Sequence, residues 1–163
     1  MTAVISACNR YRYRLDRVIG PTGPVYAFIG VNPSTADATE DDATVRKWRG
    51  FVRLWGGSRF IVGNIFALRA TNVRDLVSAE DPVGPENHRH VWRMCMEADI
   101  VVPCWGNREK LPPLSRWLVD KMNNTLMRTE KPLRTFGFTK GGDPMHPLML
   151  PYSTPLVRYV RPI

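Results

Sequence analysis

No apolar run in this chain approaches the ~20 residues that a helix needs to span a bilayer, so a membrane-embedded protein is not expected. The opening Met-Thr-Ala-Val-Ile-Ser-Ala-Cys-Asn-Arg has no charged leader ahead of a long apolar core, and a secretory signal is not expected either. Cysteine is scarce and scattered, at Cys8, Cys95 and Cys104. That spacing excludes a CxxC metal knuckle, argues against a disulfide framework and fits a reducing, cytoplasmic compartment. The expected place of all three is the core, as small hydrophobes. Familiar cofactor loops are missing too. There is no GxxxxGK[ST] and no GxGxxG after a strand, which removes P-loop and dinucleotide readings. There is no GxSxG elbow, internal repeat or low-complexity tract. No cofactor is called for.

Acidic residues are also in short supply, 15 against 23 basic, for a net charge of +8. Arginine supplies 18 of the basic residues, and its planar fork suits phosphate better than lysine does. A nucleic acid or a nucleotide is therefore the expected partner. The densest basic group is Arg10, Arg12, Arg14 and Arg17, followed by Arg46, Lys47, Arg49 and Arg53. The length of 163 residues and 44% apolar content fit one globular domain with a sizeable core.

Residues 8–19 alternate, with Tyr11, Tyr13 and Leu15 on one parity and Arg10, Arg12, Arg14 and Asp16 on the other, which predicts a half-exposed strand. Residues 25–31 are apolar on both faces, as in a covered parallel sheet. Val45, Trp48, Val52 and Trp55 recur at helical spacing, capped by Asp41 or Asp42 and stopped by Gly56-Gly57. Strands are expected at 60–65, 100–104 and 133–136, and helices from about Glu86 to Ala98 and from Pro112-Pro113. Asn72 with Asp75 suits a short helix start, and residues 139–155 a long ordered loop. The alternation predicts a three-layer α/β sandwich with a mainly parallel four-stranded central sheet and an added N-terminal antiparallel strand.

Each inner strand ends in a distinctive group. Asn32-Pro33 ends the first, and proline fixes the exit by biasing Asn32 to extended geometry. Gly63-Asn64 ends the second, Trp105-Gly106-Asn107 the third, and the fourth leads to His146-Pro147. In a parallel sheet such ends share one edge and can line one crevice. Two carboxamides, an imidazole and aromatics suit a nucleobase: a carboxamide presents a donor and an acceptor side by side, as a base edge does. An imidazole donates to oxygen charge as a bond breaks. Trp105 or Phe66 offers a stacking face. Glycine at 63 predicts close approach of a ligand or of backbone. Pro33 and Ser34 continue the Asn32 loop and join Asn64, Phe66, Trp105 and Gly106 as the substrate-binding set. Asn32, Asp37 and His146 form the catalytic set; nothing local requires Asp37, whereas one of Asp41 and Asp42 is needed as a cap. A metal site on Asp37, Asp41 and Asp42 would require the three to converge. His88 and His90 are expected on the surface.

The strings Asn-Pro-Ser-Thr-Ala-Asp, Asp-Asp-Ala-Thr, Asn64-Ile-Phe-Ala-Leu-Arg-Ala-Thr, Asp81-Pro-Val-Gly-Pro-Glu-Asn, Trp105-Gly and His146-Pro-Leu resemble a bacterial and phage family known only as a domain of unknown function. A more distant resemblance is to the uracil-DNA glycosylase superfamily, with Gly30-Val31-Asn32-Pro33, Gly63-Asn64-Ile65 and His146-Pro147-Leu148 in that family's order. It implies a glycosylase-like fold that hydrolyses N-glycosidic bonds in DNA or a nucleotide. Asn32 would orient water, Asn64 would read the base and His146 would stabilise the leaving base. Leu148 stands where those enzymes carry a phosphate-gripping serine. A catalytically silent module that binds a modified base, nucleotide or nucleic acid is the alternative.

Overall fold

A computed structural model describes residues 1–33, 36–70, 73–76 and 79–160. The chain runs β1 (Thr2–Ile5), β2 (Arg12–Val18), β3 (Val25–Gly30), α1 (Ala43–Leu54), β4 (Arg59–Asn64), α2 (Asn87–Glu97), β5 (Ile100–Pro103), α3 (Trp117–Met127), β6 (Arg134–Thr135) and β7 (Val157–Arg158). Short 3-10 turns at Val73–Leu76, Arg108–Lys110 and Pro113–Ser115 punctuate it. The main sheet is mixed and five-stranded, in the order β1-β2-β4-β3-β5. Strands β4, β3 and β5 are parallel, while β2 runs antiparallel to both β4 and β1.

Alternation within the strands explains the layering. Tyr26, Phe28, Phe60 and Val62 pack on Val45, Trp48, Phe51 and Val52 of α1. Ala27, Ile29, Ile61 and Val101 face the other way, onto Val91, Met94 and Cys95 of α2 and Val119, Met122 and Leu126 of α3. Each inner strand is thus apolar on both faces because helices cover both. Helix α1 begins where expected: Asp42 is its cap, accepting the Val45 N–H at 2.8 Å. It ends at Gly56, whose φ of 69° closes the helix as only glycine does freely.

Three expectations change. The N-terminal addition is a hairpin of two strands, because Thr2–Ile5 pairs with the alternating segment. The expected fourth parallel strand is not a full member of the sheet. Leu133 makes one parallel bridge with Val101, and Arg134–Thr135 pairs with β7 instead. The chemistry of β5 accounts for this. The Val101 N–H donates outward to Pro132 O, but the next outward position is Pro103, which has no N–H to continue the ladder. Finally, Pro113 starts a 3-10 turn and the helix itself begins at Trp117, leaving Leu114 exposed. Cys95 and Cys104 are buried as expected, and Cys8 is exposed. Among the described residues no helix is long and apolar enough to cross a membrane.

Candidate functional site

The register of the parallel strands sets the site. Gly30 pairs with Asn64, and Ile29 pairs with Pro103, so three strand tips finish at one edge. The β3–β4 pairing continues past the strands, with Ile65 N–H donating to Gly30 O and Phe66 N–H to Val31 O. A crevice of about 610 Å³ opens there, within the ~300–1,000 Å³ range of small-molecule sites.

Asn64 is 3% exposed and lies against the β3 backbone. A Cβ on Gly30 would sit 2.8 Å from Asn64 Oδ1, so glycine at 30 makes room for the carboxamide. The backbone beneath is fixed by Asn87, whose Nδ2 donates to Asn64 O and Ile65 O at 3.0 Å each. Yet Asn64 Nδ2 is buried with no hydrogen-bond partner among the described residues. A buried donor left unused is costly and marks a place where a partner belongs. Trp105 Nε1 is in the same condition.

Asn32 also lines the crevice. Its Nδ2 donates to Ala70 O at 2.6 Å and to Pro33 O at 3.1 Å, and its Oδ1 has no partner among the described residues. His146 stands at the mouth, exposed to solvent but set in the concave wall. Its Nδ1 accepts the Leu148 N–H at 3.4 Å, so in the neutral ring the proton sits on Nε2. Desolvation of the ring by the concave wall lowers its pKa from the ordinary histidine value; Asp42 pulls the other way and Lys110 reinforces the fall. Gly106 has φ of 79° and its Cβ position lies 3.3 Å from His146 Cβ, so this glycine permits both the turn and the approach.

The crevice thus gathers Asn32, Asn64, Trp105, Gly106 and His146 from segments far apart in sequence. The other expected site residues that are described do not line the crevice. Phe66 is fully buried among the α2 and α3 side chains, because the chain bends after Asn64 and turns both Ile65 and Phe66 to that side. Pro33 is buried and contributes its carbonyl to Ala70 N–H and Asn32 Nδ2. Ser34 and Asn72 lie outside the described residues. Asp37 does not line the crevice. Its Oδ1 accepts from Thr39 N–H, Thr39 Oγ1 and Glu40 N–H, a local turn that holds the carboxyl below its usual range, with the Glu40 N–H the largest cause. Gly63 makes room for α2 rather than a ligand: a Cβ there would sit 2.4 Å from Met94 Sδ.

The three aspartates do not converge. Asp41 takes Arg17 Nε and Arg49 Nη2, each at 2.6 Å, while Asp42 caps α1. Among the described residues no group of three or more His, Cys, Asp or Glu is placed to hold a metal ion. His90 stacks on Tyr13 at 5.0 Å, and His88 is exposed. The crevice residues that the sequence reading did not place there include Arg12, Asp42, Trp48 and Lys110. Trp48 was legible only as helix-stripe core, which it also is, and Asp42 only as a cap or as one of three aspartates that would have to converge on a metal.

Residues 12–148 match the model of a family described as "Protein of unknown function (DUF1643)", and the chain belongs to that family. No curated protein and no solved structure matches it.

Proposed function

We propose that the crevice receives a nucleobase with its sugar and hydrolyses the N-glycosidic bond between them, in DNA or in a nucleotide. The observation that carries this reading is the buried Asn64 carboxamide with an unused Nδ2 at the tip of β4. A base edge offers the acceptor that Nδ2 lacks and a donor for Oδ1. The likeness of the Asn32, Asn64 and His146 segments to the uracil-DNA glycosylase superfamily points the same way. In duplex DNA the base would have to leave the stack to reach such a pocket.

The chemistry follows from the free ends of the side chains. Asn32 Oδ1 accepts from a water and orients its lone pair toward the sugar C1′. The C1′–N bond breaks, its electron pair passes to the base, and the new C1′–O bond forms from the water. His146 Nε2–H donates to the base oxygen on which charge collects. The water's proton needs an acceptor, and Asp42 is the carboxylate that lines the crevice. Its Oδ1 is held by the Val45 N–H. Asp37 takes no part.

One observation favours recognition without turnover: the Asn32 amide is tied to two backbone carbonyls, as expected of a loop-closing residue. A single experiment separates the readings. The protein is incubated with oligonucleotides bearing uracil and modified bases, and with the corresponding nucleotides, and free base and abasic sites are measured. Base release abolished by Asn32→Ala supports hydrolysis. Salt-dependent binding with no release supports the silent module. Neither binding nor release by folded protein overturns both.

A further inference from the structure

Arg12 breaks the pattern of its own strand. In the β1–β2 ladder Val4 pairs with Arg14 and Ile5 with Arg12, so Tyr13 is an extra residue and the ladder bulges there. Bulges re-aim side chains beside sites. Tyr13 turns toward α2 and stacks on His90. Arg12 instead donates from Nη1 to Ala36 O in the loop that leads to α1, and its side chain lines the crevice.

The guanidinium is buried, with the residue 3% exposed, and its Nε has no partner among the described residues. A buried charge needs an opposite one. Arg17, five residues on, has Asp41 at 2.6 Å. Among the described residues Arg12 has no such ion pair within 4.0 Å. Asp42 helps it at longer range, but Arg69 and Arg17 oppose it, and burial lowers its pKa to about 10. It is still a cation at neutral pH. Lys110 lines the same opening, and α1 starts beside it with its N–H end, which favours anions.

We propose that Arg12 is the anion-binding residue of the crevice and takes the phosphate attached to the nucleoside whose base Asn64 holds. The anion subsite stands on Arg12 alone; its identity as a nucleotide phosphate rests on the reading of Asn64 above. The phosphate is either the monoester of a free nucleotide or a diester of a polymer. The fork of Arg12, preset by the bulge and the Ala36 carbonyl, offers a phosphate the Nε–H, which has no partner among the described residues.

Binding is measured by the fluorescence of the crevice tryptophans with inorganic phosphate, the common deoxynucleosides, their 5′-monophosphates, and a single-stranded oligonucleotide lacking terminal phosphates. The expected result is that a monophosphate or the oligonucleotide binds at least about tenfold tighter than the matching nucleoside, the gain of one charge-assisted hydrogen-bonded pair. Arg12→Gln erases that gain and leaves nucleoside affinity unchanged, and Arg12→Lys keeps part of it. The comparison among ligands in the wild-type protein needs no variant, so poor folding of Arg12→Gln does not rescue the proposal. A gain confined to the oligonucleotide supports the subsite and names the polymer as its source. Phosphate binding that depends on Arg12 with no nucleoside binding keeps the subsite and overturns the base reading. Equal affinity for nucleoside, monophosphate and oligonucleotide overturns the Arg12 proposal, as does failure of the wild-type protein to bind any probe.

Discussion

The acidic loop from Ala36 to Asp42 and the strand-tip crevice beside it treat polar groups in opposite ways. In the loop nearly every charge is answered. Arg17, with no exposed surface, donates to Asp41, Asp37 O and Glu40 O. Asp37 closes its own turn and Asp42 starts a helix. In the crevice, Asn64 Nδ2, Trp105 Nε1 and Arg12 Nε are buried and unanswered among the described residues. The contrast separates structure from function better than residue type does. Carboxylates look more catalytic than carboxamides, but here Asp37 and Asp41 hold the scaffold while the Asn64 amide keeps a donor without a partner among the described residues. Asp42 belongs to both regions, since one oxygen caps α1 while the side chain lines the crevice.

The largest effect expected from this contrast is at Asp41. Asp41→Asn leaves the fully buried Arg17 guanidinium without its counter-charge, a loss of about 3–5 kcal/mol of stability in urea denaturation. A loss below about 1 kcal/mol would mean that the loop is not held by this pair. Burial alone would raise the Asp41 carboxyl, but hydrogen bonds from Arg17 and Arg49 hold it below its usual range. A depressed folded pKa contributes stability above the unfolded value of about 3.9 and loses it as pH falls further. The wild-type protein should therefore lose stability below that pH, and Asp41→Asn should show less of this loss.

Two glycines give the next test, because they look alike in sequence and border different regions. Gly63→Ala drives a methyl into Met94 and should cost about 1–3 kcal/mol, with ligand binding by the folded fraction unchanged. Gly30→Ala has a similar clash, but with the Asn64 carboxamide. It should weaken base binding as well as stability. Equal binding by the two variants would remove Asn64 from the site.

How much of this was readable in advance follows the range of each interaction. The covered strands, the α1 stripe and its Gly56 stop were legible because periodicity and capping are local. The meeting of Asn32, Asn64 and Trp105 was legible because parallel strands must end at one edge, whereas His146 reaches it on the long loop after β6, which is not a full member of that sheet. What escaped has more than one range: the Asp37 turn is local, whereas the Arg12 bulge needs a contact across the chain. Asp37 read as unexplained because the turn it closes involves the backbone of Thr39 and Glu40, not a motif. Phe66 read as a stacking face because the bend after Asn64 breaks the alternation. Arg12 was hidden inside a regular-looking strand because the bulge that turns it inward exists only against β1, an element the sequence did not announce.

Smaller effects separate the two kinds of polar group directly. Asp37→Ala removes a turn-closing acceptor and should lower stability slightly, as the loss of a local cap does, while base release per folded molecule stays the same. Asn64→Ala deletes an unsatisfied buried amide, so stability should move by no more than about 1 kcal/mol in either direction while base binding is lost. The reverse pattern, activity lost in Asp37→Ala and kept in Asn64→Ala, would invert the assignment of the two regions.

The finest test uses the two charges that act on His146 from opposite directions. Protonating Nδ1 would set an N–H against the Leu148 N–H that it now accepts, so the neutral ring is the form that fits the loop. Desolvation by the crevice wall behind the ring keeps it neutral to below the ordinary value of about 6.5, and base release or binding should hold steady through that pH before falling on the acid side. Lys110 lowers the pKa, so Lys110→Gln should move the acid fall to higher pH. Asp42 raises it, so Asp42→Asn, which keeps a capping oxygen, should move the acid fall in binding to lower pH; base release is not the readout for this variant, because Asp42 also takes the water's proton in the proposed reaction. Each shift is expected to be a fraction of a pH unit, because His146 is exposed at the mouth and solvent screens both charges. Opposite shifts from two substitutions that both remove charge identify the titrating group as one that lies between them. An acid fall that ignores both variants would assign the titration to a group other than His146, and with it the hydrogen bond to the leaving base.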